Sequence, residues 1–397
     1  MKNGWLKALI VAFFLASFIL ILGRNITTII NESAPDFTQI WKSAGAMISG
    51  KEPYLNAGLD YENGYPPVTE IFYIPFSFLN YHQALCVFTF LSFVSIVGSV
   101  FLSLKIAAKR VPWYYFLLFL GCSFITFPTK FSLGLGQINM VVLFLLLLAV
   151  YLEAKPKKNS IFSGIALSCA IALKPIFAFF LLFFALKKSW RMVFATGLSV
   201  SFFILITLLF WPFSYWVSWY KTGIMLSVNY TSPVIYAYQN QGIFSFISKY
   251  ISDFNLRIYL HKALTIIVVS AASYFGIKSK DYNLALSLFI ISLLLIDITS
   301  WQHHFVWLAF PFIVFFVKAL KSKNAVILAL LIASYGLVSW NLRYPLVHPL
   351  ILWSTQFYAG VIMWGINLYF LKNDRMIPTK ADKGSIRYKI FNLLGME

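Results

Sequence analysis

The chain has 397 residues, 60% of them hydrophobic, 19% aromatic and only 11% charged, with a mean hydropathy of +0.78. That composition excludes a soluble globular protein, and repeated apolar runs near twenty residues predict an all-α polytopic integral membrane protein. The net charge of +19 would suit nucleic acid, but the basic residues stand in short clusters between apolar runs, the way a membrane protein marks its cytoplasmic side.

In chain order the predicted spans are about 5–22, 84–104, 112–127, 139–152, 160–173 with 175–187, 192–211, 258–277, 283–300, 304–318, 324–340 and 350–371. The first reads as a retained signal anchor, because no A-x-A-like site follows it. Basic clusters follow at Lys105–Arg110, Lys155–Lys158, Lys187–Arg191, Lys278–Lys280 and Lys318–Lys323. All fall on one face only if 160–187 enters and leaves on the same side, as two half-helices around Lys174-Pro175. The result is about twelve membrane segments, both termini cytoplasmic, in a plasma-membrane protein. Residues 1–371 form the membrane-embedded domain and 372–397 a basic cytoplasmic tail suited to anionic lipid. Cys86, Cys122 and Cys169 all fall in apolar runs and read as small core residues.

This topology puts two long loops outside, about 23–83 and 212–257, with short turns at 127–139, 300–304 and 341–349. The first loop holds Glu32, Asp36, Glu52, Asp60, Glu62 and Glu70, nearly half of the chain's 13 acids. Within it Phe37, Ile40, Trp41, Ala44, Met47 and Ile48 recur at helical spacing. They predict an amphipathic helix over 36–49, stopped by Gly50 and lying along the outer membrane surface. Ile243, Phe244, Phe246, Ile247, Tyr250 and Ile251 suggest a second one.

Several polar residues stand out in this apolar chain. Asp36, just after a span, is placed to act as a general base toward a lipid-carried substrate. Asp36-x-x-Gln39 and Ser33-x-x-Asp36 are equally helix-cap patterns. Tyr65-Pro66-Pro67 reads as rigid extended backbone with an aromatic face, which suits a sugar ring or an ordinary loop. In Gly134-Leu135-Gly136-Gln137-Ile138-Asn139, Gln137 and Asn139 offer amides, whether for a ligand or for a turn and cap. As a phosphate loop the run is a weak match, because no lysine follows and no strand precedes it. Lys174 is a basic residue in the interior of a membrane segment, midway along 160–187; a lipid phosphate is its natural anion, unless the break is simply wet. Asn240, Gln241, His303 and His304 are polar groups at outer helix ends, and such histidines are often interface anchors. Adjacent histidines diverge on a helix, and no H-E-x-x-H, D-x-D or E-x-D pattern occurs in the outer loops, so neither metal nor cofactor is indicated. Arg343 and His348 in the last outer turn are further phosphate candidates.

Taken in order, these pieces resemble glycosyltransferase family 87 of the membrane-embedded GT-C superfamily. The matching residues are Asp36-Phe37, Ala44, Gly50 to Tyr54, Tyr65-Pro66-Pro67, Gly136 to Asn139, Gly164, Ala172 to Pro175, Asn240-Gln241 and His303-His304. The resemblance implies a GT-C-type bundle and an inverting transfer of a hexose, by default mannose. The donor would be a polyprenyl-phosphate sugar, and the acceptor a hydroxyl of a glycolipid or glycan on the outer face. It implies that Asp36 is the catalytic base, with a basic residue, Lys174 first, stabilising the phosphate leaving group. Tyr65, Gln137, Asn139, Asn240, Gln241, His303, His304 and Arg343 complete the candidate substrate site. The competing reading is a transporter or flippase for a lipid-linked intermediate, against which stand the long outer loops and the lack of an evident inverted repeat.

Overall fold

A computed structural model describes residues 4–54, 64–108, 111–154, 159–224, 229–322, 324–340 and 350–373. Asp60, Glu62, Arg343, His348 and the basic tail beyond 373 lie outside the described residues. In chain order the helices are α1 (Gly4–Ile30), α2 (Pro35–Ile48), α3 (Pro67–Ser77), α4 (Tyr81–Ala107), α5 (Trp113–Ile125), α6 (Phe127–Leu135), α7 (Asn139–Ala154), α8 (Ser160–Leu173), α9 (Phe179–Leu186), α10 (Trp190–Phe210), α11 (Ser214–Trp219), α12 (Ile243–Ser248), α13 (Phe254–Lys278), α14 (Tyr282–Ile296), α15 (Ala309–Ser322), α16 (Ala325–Ser339) and α17 (Thr355–Asn373). A 3-10 turn, Pro175–Ala178, joins α8 to α9, and a 3-10 helix, Gln302–Leu308, runs into α15. The isolated bridge among the described residues pairs Asn240 with Trp301.

Among the described residues five helical runs are long and apolar enough to cross a membrane: α1, α4, α10, α13 and Gln302–Ser322. The pair α5 and α6 passes the same test together, bent by 63°. Shorter apolar helices, α7, α8, Pro175–Leu186, α14 and α16, fill the bundle between them. A multi-pass membrane protein follows, since in lipid only structures that satisfy their own backbone can span. On the outside, α1 shows Leu15, Ile19 and Leu20 to the surroundings, and α10 shows Phe194, Phe202 and Leu209. At the centre stands α14, in which every residue from Leu284 to Leu295 is buried.

The helix ends sort into two poles. At one, Lys187 Nζ donates to Ser279 O (2.8 Å), Asn283 Nδ2 donates to Ile106 O (2.9 Å) and Lys318 pairs with Asp281 (2.6 Å). The connections after α4, α9, α13 and α15 therefore meet there, and several of the sequence's lysine clusters lie in them. The segment 160–187 starts and ends at this basic pole. Asn159 N donates to Leu152 O at the end of α7, while Lys187 at the far end reaches Ser279. Its break at Lys174-Pro175 lies at the opposite pole.

Two loop expectations change. The turn expected over 127–139 is mostly helix α6: Pro128 sits in its first turn, where a missing N–H costs nothing, and Gly136 ends it in the left-handed region. Helix α2 forms where the spacing predicts and is closed by Gly50 at φ +69°, but its apolar stripe faces protein. Phe37, Ile40, Ala44 and Met47 are buried, and Phe37 packs among Tyr73, Phe76, Tyr81 and Phe88 from α3 and α4. Periodicity finds an apolar face; it does not say whether lipid or another helix covers it.

Candidate active site

The pole opposite the lysines holds a cavity of about 670 Å³. Its wall brings together Asp36, Tyr65, Gln137, Lys174, His303 and His304, from segments far apart in the chain. Gln39, Trp219, Gln239, Asp297 and Trp301 also line it. The tertiary logic is simple: Asp36 follows α1, Gln137 precedes α7, Lys174 follows α8, Asp297 follows α14 and His304 precedes α15. Helices that alternate in direction deliver all these ends to one pole.

Asp36 sits in the first turn of α2, after Pro35 at the helix start. No side chain caps that helix, so the cap patterns in the sequence are not used for capping. Its carboxylate instead accepts a hydrogen bond from Gln137 Nε2. Gln137 in turn accepts from Tyr65 Oη at 3.2 Å. Gly136 makes this approach feasible. It takes φ +69°, and a Cβ there would stand 2.5 Å from Phe37 Cβ, so only glycine lets the start of α7 close onto α2. Protein surrounds Asp36 closely, and desolvation pushes its carboxyl above the usual carboxylate range, while the Gln137 bond and the charge of Lys174 pull it back. Burial, then the charge of Asp36, raises the Tyr65 phenol, so Tyr65 is a fixed donor.

Lys174 is buried at the end of α8, where Pro175 stops the helix and leaves Lys174 extended at φ −144°, ψ 99°. Thr69 Oγ1 donates to Ala172 O (2.6 Å), which ties α3, and with it Tyr65, to this end. Lys174 Nζ lies 2.5 Å from His304 Nε2 and 5.5 Å from the ring centroid of Trp307. The 3-10 helix explains the aromatic wall. Side chains three apart eclipse in that geometry. His304 and Trp307 accordingly stack at 4.9 Å with 6° between their planes, while adjacent His303 and His304 stand at 84°.

The other candidate amides stand behind the wall. Asn139 Nδ2 donates to Ser132 Oγ and to His303 O, and Asn139 O accepts from Trp307 Nε1, so Asn139 clamps the 3-10 helix to α7. Asn240 Nδ2 donates to Ile235 O and Ile298 O, and Gln241 Nε2 to Tyr238 O and Trp353 O. With Gln241 N on Ser300 O and Gln302 N on Gln239 O, they hold 239–241 against 300–302. Among the cavity residues that pattern reading passed over is Asp297. An acid at the end of a wholly apolar helix was the available signal. Among the described residues no group of three or more His, Cys, Asp or Glu could hold a metal ion.

A carboxylate and a buried cation lining the same cavity can divide the work of a transfer: the carboxylate can take a proton and the cation can stabilise a departing anion. The family model of glycosyltransferase family 87 matches residues 63–299. The polyprenol-phosphate-mannose-dependent alpha-(1-2)-phosphatidylinositol mannoside mannosyltransferase of Mycobacterium tuberculosis is 24% identical over 303 residues, 72% of this chain and 69% of that protein. No solved structure matches significantly. The chain belongs to glycosyltransferase family 87, and it is a membrane hexosyltransferase.

Proposed function

We propose that the protein transfers a hexose, by default mannose, from a polyprenyl-phosphate sugar to a hydroxyl of a glycolipid or glycan acceptor, with inversion. The observation that carries this reading is the placement of Asp36 and Lys174 on one cavity wall, each fixed by a buried partner, Gln137 and His304. The mycobacterial relative's dependence on polyprenol-phosphate-mannose supports the donor class.

The step is a single in-line displacement. Asp36 accepts the proton of the acceptor hydroxyl as its oxygen forms the new bond to the anomeric carbon. The bond from that carbon to the phosphate oxygen breaks, and its electron pair leaves with the polyprenyl phosphate. Lys174 meets the growing charge; a phosphate needs charge stabilisation more than a proton. A β-linked donor thus gives an α-linked product. Tyr65, Trp219 and Trp301 offer aromatic faces to the sugars, and Gln39 and Gln239 offer amides. The lysines of the opposite pole support a reading in which that pole is cytoplasmic, the cavity opens on the outer face and both termini are cytoplasmic.

The test supplies purified protein with radiolabelled polyprenyl-phosphate mannose and a membrane lipid extract. The expected result is label in a lipid or glycan product from which α-mannosidase releases it. Consumption of no polyprenyl sugar with any acceptor would overturn the reading. Tags at residue 60 and at the C-terminus should report opposite faces; the same face for both breaks the outer-site topology.

A further inference from the structure

Asp297 has no part in the reaction as described, yet its surroundings are specific. It is the first residue after α14. Thr299 holds one carboxylate oxygen, Oδ1, through its N–H at 3.1 Å and its hydroxyl at 3.3 Å. That leaves Oδ2 facing Nδ1 of His304 at 3.7 Å. The local backbone is equally fixed. Asn240 Nδ2 donates to Ile298 O at 2.6 Å, and any Cβ on Gly242 would overlap the carbonyl oxygen of Asp297.

On the far side of the imidazole, Nε2 lies 2.5 Å from Lys174 Nζ. A charged ammonium has hydrogens to give and no lone pair to receive one. Against a charged Lys174, Nε2 presents its lone pair and the ring hydrogen sits on Nδ1, the side of Asp297. At 3.7 Å the carboxylate is beyond hydrogen-bond length, but its field still favours the N–H side of the ring. The ring is held in plane by Trp307, stacked at 4.9 Å, and flanked by His303 at 4.7 Å. The charged and titratable groups around Lys174 are Asp36, Asp297, His303 and His304.

We propose that Asp297 is a positioning residue: it holds His304 in the Nδ1–H tautomer, so that His304 accepts one hydrogen bond from Lys174 and leaves the other ammonium hydrogens aimed into the cavity. In the Nε2–H tautomer two donors would face each other, and Lys174 would have to swing away. The last consequence, that the aimed hydrogens meet the donor phosphate, rests on the transferase reading above; the tautomer does not.

The experiment separates the two. Full-length protein carrying 15N,13C-labelled histidine is reconstituted in lipid, and the His304 signals are assigned by their loss in His304→Gln. The wild type should show a protonated Nδ1 and an unprotonated Nε2. Asp297→Leu, of similar size but without an acceptor, should switch the ring to Nε2–H. Asp297→Asn, whose carbonyl still accepts, should keep the wild-type tautomer. Nε2–H in the wild type, or Nδ1–H persisting in Asp297→Leu, overturns the proposal, and the wild-type spectrum decides even if the leucine variant fails to fold. In the transfer assay Asp297→Leu should raise the KM for the polyprenyl-phosphate sugar roughly tenfold, with the acceptor KM unchanged and near-wild-type behaviour in Asp297→Asn. A rise in both KM values alike would mark a merely structural role and also count against it. Absence of transfer in every form sinks the transferase reading and leaves the tautomer result standing.

Discussion

Helix α14 carries an aspartate at each end, and the two lead different lives. Asp281 caps the start: its Oδ1 accepts from Asn283 N and Leu284 N, and its Oδ2 pairs with Lys318 at 2.6 Å. A carboxylate there also meets the positive end of the helix dipole. Asp297 ends the same helix, where the dipole disfavours an anion; its N–H closes the last turn on Leu293 O, but its carboxylate turns outward to Thr299. One oxygen is held by Thr299 and the other looks toward His304 and Lys174 across a cavity wall. The acid at the basic pole serves the fold, and the acid at the cavity pole is kept at a cost to it. Charges that a fold retains against local physics are where function concentrates.

The lysines sharpen this contrast most. Lys174→Met should lower kcat/KM for the donor sugar by about 10²- to 10³-fold, the scale of losing a main anion-stabilising group. Lys318→Met should leave kcat/KM within about twofold and lower the melting midpoint instead, by an amount equivalent to roughly 1 kcal/mol. Equal loss of activity in both variants would erase the distinction between the poles.

Gly136→Ala comes next. The new Cβ, 2.5 Å from Phe37 Cβ in a left-handed backbone, has to push α2 away from the start of α7. Displacing Asp36 by even part of an ångström should reduce kcat by about tenfold or more. The strain should also destabilise the protein by about 1–3 kcal/mol, read by thermal unfolding in detergent. Normal kcat in this variant would mean that Asp36 does not depend on the Gln137 contact for its placement.

The smallest effect is on pH dependence. Asp36 must be ionised to act as a base, and burial raises its pKa, so transfer should be lost as pH falls through a midpoint above the ordinary carboxylate range. The bond from Gln137 favours the ionised form. Gln137→Leu should therefore move that acid limb to higher pH, and a move in the opposite direction would contradict the arrangement.

Much of this was legible in the residues. Asp36, Gln137 and Lys174 are polar groups in places where an apolar chain tolerates few, and the cavity gathers all three. The helices stand on the hydrophobic runs, and Lys174-Pro175 marks a real break. Other features were not legible, for definite reasons. An amide at a helix end reads the same whether it faces a cavity or braces its wall, so Gln137 and Asn139 looked alike. The stack of His304 on Trp307 depends on the local 3-10 geometry, which the composition of 302–308 does not announce. Asp297 was visible as an intrusion in an apolar run, but its partner lay on another segment. The stripe of α2 was correctly placed and its covering was not, because α3 supplies the apolar partner that lipid could equally have supplied.

The central claim is that Asp36 is the base of the transfer, and the most direct measurement is the rate of Asp36→Asn. Asparagine keeps the size and can still bond Gln137, but it cannot take a proton. Sugar transfer from radiolabelled polyprenyl-phosphate mannose should fall by at least about a hundredfold while binding of the product polyprenyl phosphate stays at the wild-type level. Transfer by Asp36→Asn at the wild-type rate would contradict the account.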